Sequence, residues 1–334
     1  MKNKRLVTVF IVLLVAIAAG VGIFTIISKN TRATPKSLIK KAEILDWEKV
    51  RKEISKNEAK AEDYENKWYI FHGKVKQINA TECKVETIKK AKNSSTAILS
   101  VKLEKEVLKE LKMGDTITVI GNLHSAITFP TLVDAIQLND EIIKENLVVA
   151  VASKKGYFDE YFYDYQYDSS IGKITKYTKN EGTGEGKYTL VYDEEGNLVK
   201  EIREPFSSSL YATDVTTYTY NKDGTIATET VTEVKDKKEK IGAVRNYSYE
   251  KDSEGRIKKQ TMINITGDNY KLVYEYKYEG DKVVEEKQTS PHSIYKINYE
   301  YDQFGNIIKE RSYNVKKPSS VTTTTYVYDI VAKK

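Results

Sequence analysis

The residues able to do chemistry are few and scattered. His72 falls in an extended pattern, and His124 and His292 fall in loops. No pair of them has the spacing of a metal site. Cys83, the one cysteine, lies on an alternating strand pattern where a thiol serves as a small core residue. A single cysteine excludes an internal disulfide and a multi-cysteine zinc site. No glycine-rich loop runs from a strand into a helix, so no phosphate cradle is legible. Carboxylates gather at Asp193-Glu194-Glu195 and Glu285-Glu286, on turns and polar faces where they are solvated. Their spacing is not that of an EF-hand loop. No catalytic, cofactor-binding or metal-ligating set is assigned, and the sequence predicts neither an enzyme nor a cofactor.

One aromatic cluster is the exception. Tyr157, Phe158, Tyr161, Phe162, Tyr163, Tyr165 and Tyr167 put rings on both faces of an extended segment, interleaved with Asp159, Glu160 and Asp164. A half-buried strand keeps its apolar side chains to one face. The cluster is therefore either a cap that packs one module against the next or an exposed binding patch. Tyr157, Phe158, Tyr161, Phe162, Tyr163 and Tyr165 are the candidate binding residues.

The elements that hold this cluster are repetitive. Of 25 tyrosines, only Tyr64 and Tyr69 precede residue 151, which sets a boundary near 150. Beyond it a unit recurs: Tyr192-Asp193-Glu194-Glu195-Gly196-Asn197-Leu198, Tyr220-Asn221-Lys222-Asp223-Gly224-Thr225-Ile226 and Tyr301-Asp302-Gln303-Phe304-Gly305-Asn306-Ile307. Looser copies surround Gly172, Gly255 and Gly280. Asp or Asn after the tyrosine can bond the backbone ahead, and glycine supplies a positive φ. Between turns the pattern has period two. Leu272, Tyr274, Tyr276 and Tyr278 oppose Val273, Glu275 and Lys277, and Tyr295, Ile297, Tyr299 and Tyr301 oppose Lys296, Asn298 and Glu300. Tyr188, Leu190 and Tyr192 share a face, with Leu198, Lys200 and Ile202 as the matching set. The outcome is an antiparallel β-meander of about six hairpins ending in a strand over Val321–Ile330, whose tyrosine faces are buried jointly. Ser153–Gly156 reads as the linker before it. The unit resembles the YD-repeat (Rhs-type) family of bacterial cell-surface and toxin-associated proteins, over about residues 160–330. Long arrays of that family wind into a hollow shell. Six units suggest instead a curved, twisted sheet that closes partly on itself.

Residues 30–150 read differently. Thr34-Pro35 opens a helix whose apolar stripe runs through Leu38, Ile39, Ala42, Leu45, Val50 and Ile54. Strand patterns follow at 68–78, 83–87, 96–101, 115–121 and 132–138, with a helix over 104–112 between the third and fourth. Gly73 marks a bulge or bend. That order is the order of a five-stranded OB barrel. Asn57-Glu58-Ala59-Lys60-Ala61, Tyr64, Gly73-Lys74-Val75, Gly114 to Gly121 and Asp134-Ala135 resemble the tRNA-anticodon-binding-like OB family of exported bacterial proteins, over about residues 50–140. The resemblance implies an OB fold and a place outside the cytoplasm. It does not imply tRNA binding: the second and third strands carry no aromatic platform for bases.

Lys2, Lys4 and Arg5 precede an uninterrupted apolar run from Leu6 to Ile27. At 1.5 Å per residue it spans roughly 33 Å, enough for a bilayer core of about 30 Å. A cleaved signal peptide is the alternative. The basic head argues for N-inside, although Lys29, Arg32 and Lys36 blunt the positive-inside rule. The net charge of +6 comes from residues 1–150, beside this segment.

The sequence thus predicts a mainly β protein: a cytoplasmic head (1–5), a transmembrane signal anchor (6–28), a helix plus OB-like barrel (29–150) and a YD-type hairpin array (151–334). The expected function is a membrane-anchored extracytoplasmic binding or scaffold protein. Its partners would be the membrane, through the N-terminal helix, and a protein or cell-wall glycan at the cell surface. The alternatives are a glycan hydrolase built on paired carboxylates and an OB-mediated nucleic-acid binder, which the missing aromatic platform disfavours.

Overall fold

The computed structural model describes residues 34–88, 97–156, 159–180, 184–207, 211–266, 269–302 and 305–334. The expected anchor at 6–28 lies outside them. Among the described residues no helix is long and apolar enough to cross a membrane.

Helix α1 (Pro35–Lys41) is capped by Thr34, with proline in its first turn. Helix α2 (Trp47–Lys56) is capped by Asp46, whose Oδ1 accepts from the Lys49 amide at 3.0 Å. The stripe that reads as one helix is thus two. The backbone turns extended at Ala42, and Glu43–Ile44 (β1) pairs in parallel with Tyr69 and Ile70. The break sends Leu38 and Ile39 to one core and Trp47, Val50 and Ile54 to another.

Five strands follow a 3-10 turn at Glu58–Asp63: β2 (Trp68–Ile78), β3 (Cys83–Thr87), β4 (Ile98–Val101), β5 (Thr116–His124) and β6 (Thr131–Gln137). Helix α3 (Lys105–Glu110) lies between β4 and β5. The strands run β2-β3-β4-β6-β5, and β5 returns to β2, closing a barrel. Phe71, Val75, Cys83, Val85, Leu99 and Val101 alternate into its core. Gly73 is there for close approach, since a Cβ would lie 2.4 Å from the Glu86 carbonyl oxygen. The bulge itself comes later, between Val75 and Gln77.

Helix α4 (Asp140–Asn146) leads into β7 (Leu147–Lys155). Then come β8 (Glu160–Asp168), β9 (Lys173–Asn180), β10 (Gly186–Tyr192), β11 (Leu198–Glu204), β12 (Thr213–Tyr220) and β13 (Ile226–Lys235). The series continues with β14 (Lys238–Lys251), β15 (Ile257–Asn264), β16 (Lys271–Glu279), β17 (Lys282–Thr289), β18 (Ile294–Tyr301), β19 (Ile307–Asn314) and β20 (Lys317–Lys333). Each strand pairs antiparallel with its neighbour, and β20 pairs with β7, so fourteen strands close a second barrel. Here the expectation of a partly closed sheet is corrected. The stretch expected as a linker, 153–156, begins within β7, the strand that completes the ring. Closure pairs the backbone groups that an open sheet would leave along its edges.

The repeated turns follow one plan. The Asp193 amide donates to the Asn197 carbonyl at 3.0 Å, and the Gly196 amide to the Asp193 carbonyl at 3.1 Å. The Asp193 carboxylate accepts from the Asn197 amide at 2.7 Å and from its Nδ2 at 3.0 Å. Asp302 and Asn306 repeat this geometry at 2.8 and 3.0 Å. Gly196 and Gly305, at φ 85° and 84°, hold the conformation that a side chain would strain.

The two barrels share a core. Ile330 of β20 packs with Ile70, Ile120, Leu138, Ile143 and Leu147, beneath Leu38 and Ile39. Lys333 Nζ donates to the Ala42 carbonyl at 2.6 Å, tying the end of β20 to the end of α1.

Candidate functional site

The strand patterning aims tyrosine into the large barrel. Its outer face carries ion pairs: Lys277 with Glu285 and Lys287 with Glu275 at 2.7 Å, and Lys259 with Glu250 at 2.6 Å. These alternate with the tyrosines. A barrel facing lipid would turn an apolar band outward instead. Fourteen strands at about 4.8 Å spacing and a tilt of roughly 35–45° close to a cylinder about 26–30 Å across. Most inward tyrosines are only half-buried, whereas a collapsed pair of sheets would bury them fully. The barrel is hollow.

Two tyrosine layers line it. In the layer nearest the repeated turns, each hydroxyl donates to a backbone carbonyl just past the preceding turn. Tyr220 reaches Leu198 at 2.8 Å, Tyr278 reaches Ile257 at 2.8 Å, Tyr301 reaches Val283 at 2.6 Å and Tyr328 reaches Ile307 at 3.0 Å. One layer deeper the partners are side chains. Tyr247 donates to Glu229 at 2.6 Å, Tyr299 to Glu286 at 3.0 Å and Tyr326 to Glu310 at 2.7 Å. Glu229 also pairs with Arg245. Burial, and then the Glu229 carboxylate, push the Tyr247 phenol well above its usual range. Burial pushes Tyr218 up to about 12. Glu201 hydrogen-bonds Tyr177, and burial followed by the charge of Glu229 raises its carboxyl.

Reading the sequence misses these inward acids, because the ladder slips after the turns. Between Val191 and Tyr192 the register shifts, so Leu190 faces Glu201 and Tyr188 faces Arg203. Lys200 and Ile202, expected on the tyrosine face, pair with Val191 and Thr189 on the other. The bulge flips every later side chain. A signal was present: Glu201, Glu229, Gln260 and Glu310 each stand five residues after a turn glycine.

The candidate binding residues divide. Tyr157 and Phe158 lie outside the described residues. Tyr161, Tyr163 and Tyr165 face the interior from β8. Tyr163 and Tyr165 stack at 6.2 Å, Tyr165 is 6.0 Å from Tyr177, and Tyr177 stacks on Tyr188 at 4.3 Å. Tyr165 also donates to the Val151 carbonyl at 2.9 Å, joining β8 to β7. Lys179 Nζ lies 4.0 Å above the Tyr161 ring. Phe162 points to the opposite face and is fully buried.

A cleft of about 870 Å³ opens beside the shared core, lined by His72, Lys74, Asp115, Thr118, Asp302 and Asn306 among others. His72 Nδ1 is 2.8 Å from Thr118 Oγ1. His72 keeps some accessible surface along the cleft but sits deep in the protein. Burial lowers its pKa, while Asp329 and a hydrogen bond to the Tyr328 backbone pull it back up. Cys83 is buried in the small barrel, and burial pushes its thiol up to about 11. Among the described residues no group of histidine, cysteine or acidic side chains could hold a metal ion.

No protein-family model matches the sequence, and no curated protein resembles it significantly in sequence. Solved structures align with parts of the chain. A porin-like protein from Bacteroides vulgatus aligns with 54% of this chain and 98% of its own, at 13% identity and a TM-score of 0.35. The TcdB2–TccC3 toxin complex aligns with 74% of this chain, at 12% identity and a TM-score of 0.19. The Photorhabdus luminescens Tc holotoxin pore aligns with 75%, at 10% identity and a TM-score of 0.18. This chain spans 14% and 15% of those two toxin chains.

Proposed function

We propose that the chain is a membrane-anchored extracytoplasmic binding or scaffold protein whose large barrel receives a glycan chain. The observation that carries this reading is the hollow, polar-aromatic interior. Tyrosine presents an apolar ring and a hydroxyl together, which suits the two-sided surface of a sugar. The carboxylates and the Gln260 amide add fixed acceptors for sugar hydroxyls, the sparse polar contacts that orient a ligand in an aromatic pocket. The small barrel, whose strand and helix order is that of an OB fold, serves as the docking module. The large barrel is built from YD-type hairpins, and that resemblance supports an extracytoplasmic position.

The test uses the full chain and insoluble cell-wall glycan. Tyr161→Ala and Tyr163→Ala weaken retention on the glycan while leaving the melting temperature within a few degrees. Variants that only melt earlier and still bind would sink the reading. Protease shaving of intact cells should remove both barrels if the orientation is right.

A hydrolytic reading is favoured by one observation. Burial and then the charge of Glu229 make Glu201 hold its proton more tightly than usual, and Glu229 is ion-paired with Arg245. A carboxyl kept protonated beside a second, ion-paired carboxylate is the arrangement of a general acid and its counterpart. Release of reducing ends by the wild type, abolished in Glu201→Gln, would establish this activity. Its absence in the wild type would end it.

A further inference from the structure

One stretch of the inner wall is basic. Lys154 on β7 faces Tyr161 on β8 and Tyr326 on β20. Lys179 on β9 faces Tyr163 on β8, and Arg203 on β11 faces Tyr188 on β10. Period-two alternation therefore turns all three cations to the tyrosine side. Lys154 Nζ lies 5.1 Å from the Tyr326 ring centroid, and Lys179 packs over Tyr161 as described. Elsewhere the corresponding layer carries Glu229, Glu286 and Glu310, so the interior is electrostatically two-sided.

Three of these side chains converge on one point. Gly184, at φ 76°, lacks the Cβ that would stand there. That Cβ would lie 3.4 Å from Lys179 Nζ, 3.4 Å from the Tyr188 hydroxyl and 3.9 Å from Arg203 Nη1. The Tyr188 hydroxyl donates to the Gly184 carbonyl at 2.6 Å, which fixes one wall. Arg203 is held from behind by Asp214, at 2.8 Å from its Nη2. Its Nε is buried and has no hydrogen-bond acceptor among the described residues. A buried guanidinium N–H without an acceptor is costly to leave unmade. Among the described residues, the carboxylates that reach this wall are Asp214 on Arg203, Asp159, which accepts from Tyr161 at 2.8 Å, and Glu201, two residues from Arg203 on the same face of β11. Burial and then Lys154 lower the pKa of Lys179, Asp159 raises it in part, and Arg203 lowers it again.

We propose that Lys179 and Arg203, walled by Tyr188 and kept open by Gly184, form an oxyanion subsite that takes a carboxylate or phosphate group. A planar guanidinium beside an ammonium matches such groups in shape and charge. On the glycan reading, on which this rests, the subsite selects acidic saccharides. The same chemistry would also hold free phosphate.

Calorimetry on the full chain separates these sources with three probes: inorganic phosphate, a galacturonate hexasaccharide and its neutral methyl ester. The acidic hexasaccharide should bind more tightly than the ester. Lys179→Met should weaken it by about tenfold or more, as loss of a charge-assisted hydrogen bond does. Lys179→Arg should restore most of that affinity. Because Arg203→Met strands Asp214, its melting curve is checked before its affinity is read. Phosphate binding lost in Lys179→Met, with neither saccharide bound, supports the subsite and removes the glycan reading. Equal affinity for acid and ester, unchanged in Lys179→Met, overturns the subsite and leaves the glycan reading standing. Binding of none of the three probes also overturns the subsite.

Discussion

Tyr301 shows what the repeated tyrosine contributes. Its hydroxyl donates to the Val283 carbonyl at 2.6 Å, and its ring lies 5.3 Å beneath Lys282 Nζ. Phenylalanine keeps the ring, its packing and the cation contact, and removes only the hydrogen bond. Tyr301→Phe should therefore cost about 1 kcal/mol, the net worth of one such bond, read as a shift in urea midpoint at unchanged slope. A larger loss would mean that the hydroxyl holds more than one carbonyl. The inward aim of this tyrosine was legible, because Tyr295, Ile297, Tyr299 and Tyr301 alternate with Lys296, Asn298 and Glu300. The inward aim of Glu201 was not legible by alternation alone. Its face depends on a one-residue slip at the turn, and parity counting has no term for a bulge. The basic wall was equally hidden, since Lys154, Lys179 and Arg203 are far apart in sequence and meet only through strand pairing.

Between elements, the decisive contact is the seam where β20 meets β7 and both meet the small barrel. The five strands of that barrel were legible because each is bounded by turn residues and carries its own alternation. The seam was not. Leu147–Lys155 pairs with residues near the end of the chain, and no local signal encodes a partner so distant. His72 marks the seam: it packs against Thr118, the Tyr328 backbone and Asp329. Lys74, Asp115, Asp302 and Lys334 also line the cleft it borders. Its pKa lies below the ordinary 6.5, so the folded state keeps it neutral while the unfolded chain takes a proton. The contribution is fully present above 6.5 and is lost as pH falls below that value. Wild-type stability should thus decline between about pH 7.5 and 5.5, and His72→Gln should flatten that part of the curve. A slope unchanged in the variant would place the sensitivity elsewhere.

At the scale of the whole molecule, a barrel lined with phenols stakes its stability on their remaining protonated. Burial raises the phenols of Tyr177, Tyr247, Tyr276, Tyr299 and Tyr326 far above the ordinary 10, and Tyr218 to about 12. In the unfolded chain they titrate near 10. Below that pH both states hold the protons, and these tyrosines make no pH-dependent contribution. Above it the unfolded chain releases protons that the barrel retains, so stability falls as pH rises. Each phenol steepens the fall by up to about 1.4 kcal/mol per pH unit. Several acting together in one closed ring should unfold the barrel cooperatively instead of letting the rings ionise one at a time. Phenolate absorbance followed from pH 9 upward should then stay low through the usual tyrosine range and rise in one step with loss of near-ultraviolet ellipticity. A broad rise centred near pH 10, with the ellipticity intact, would mean that water reaches the rings freely and that the interior does not protect them. A glycan seated against those rings would move the step to higher pH, because a ligand held only by the folded barrel adds to its stability.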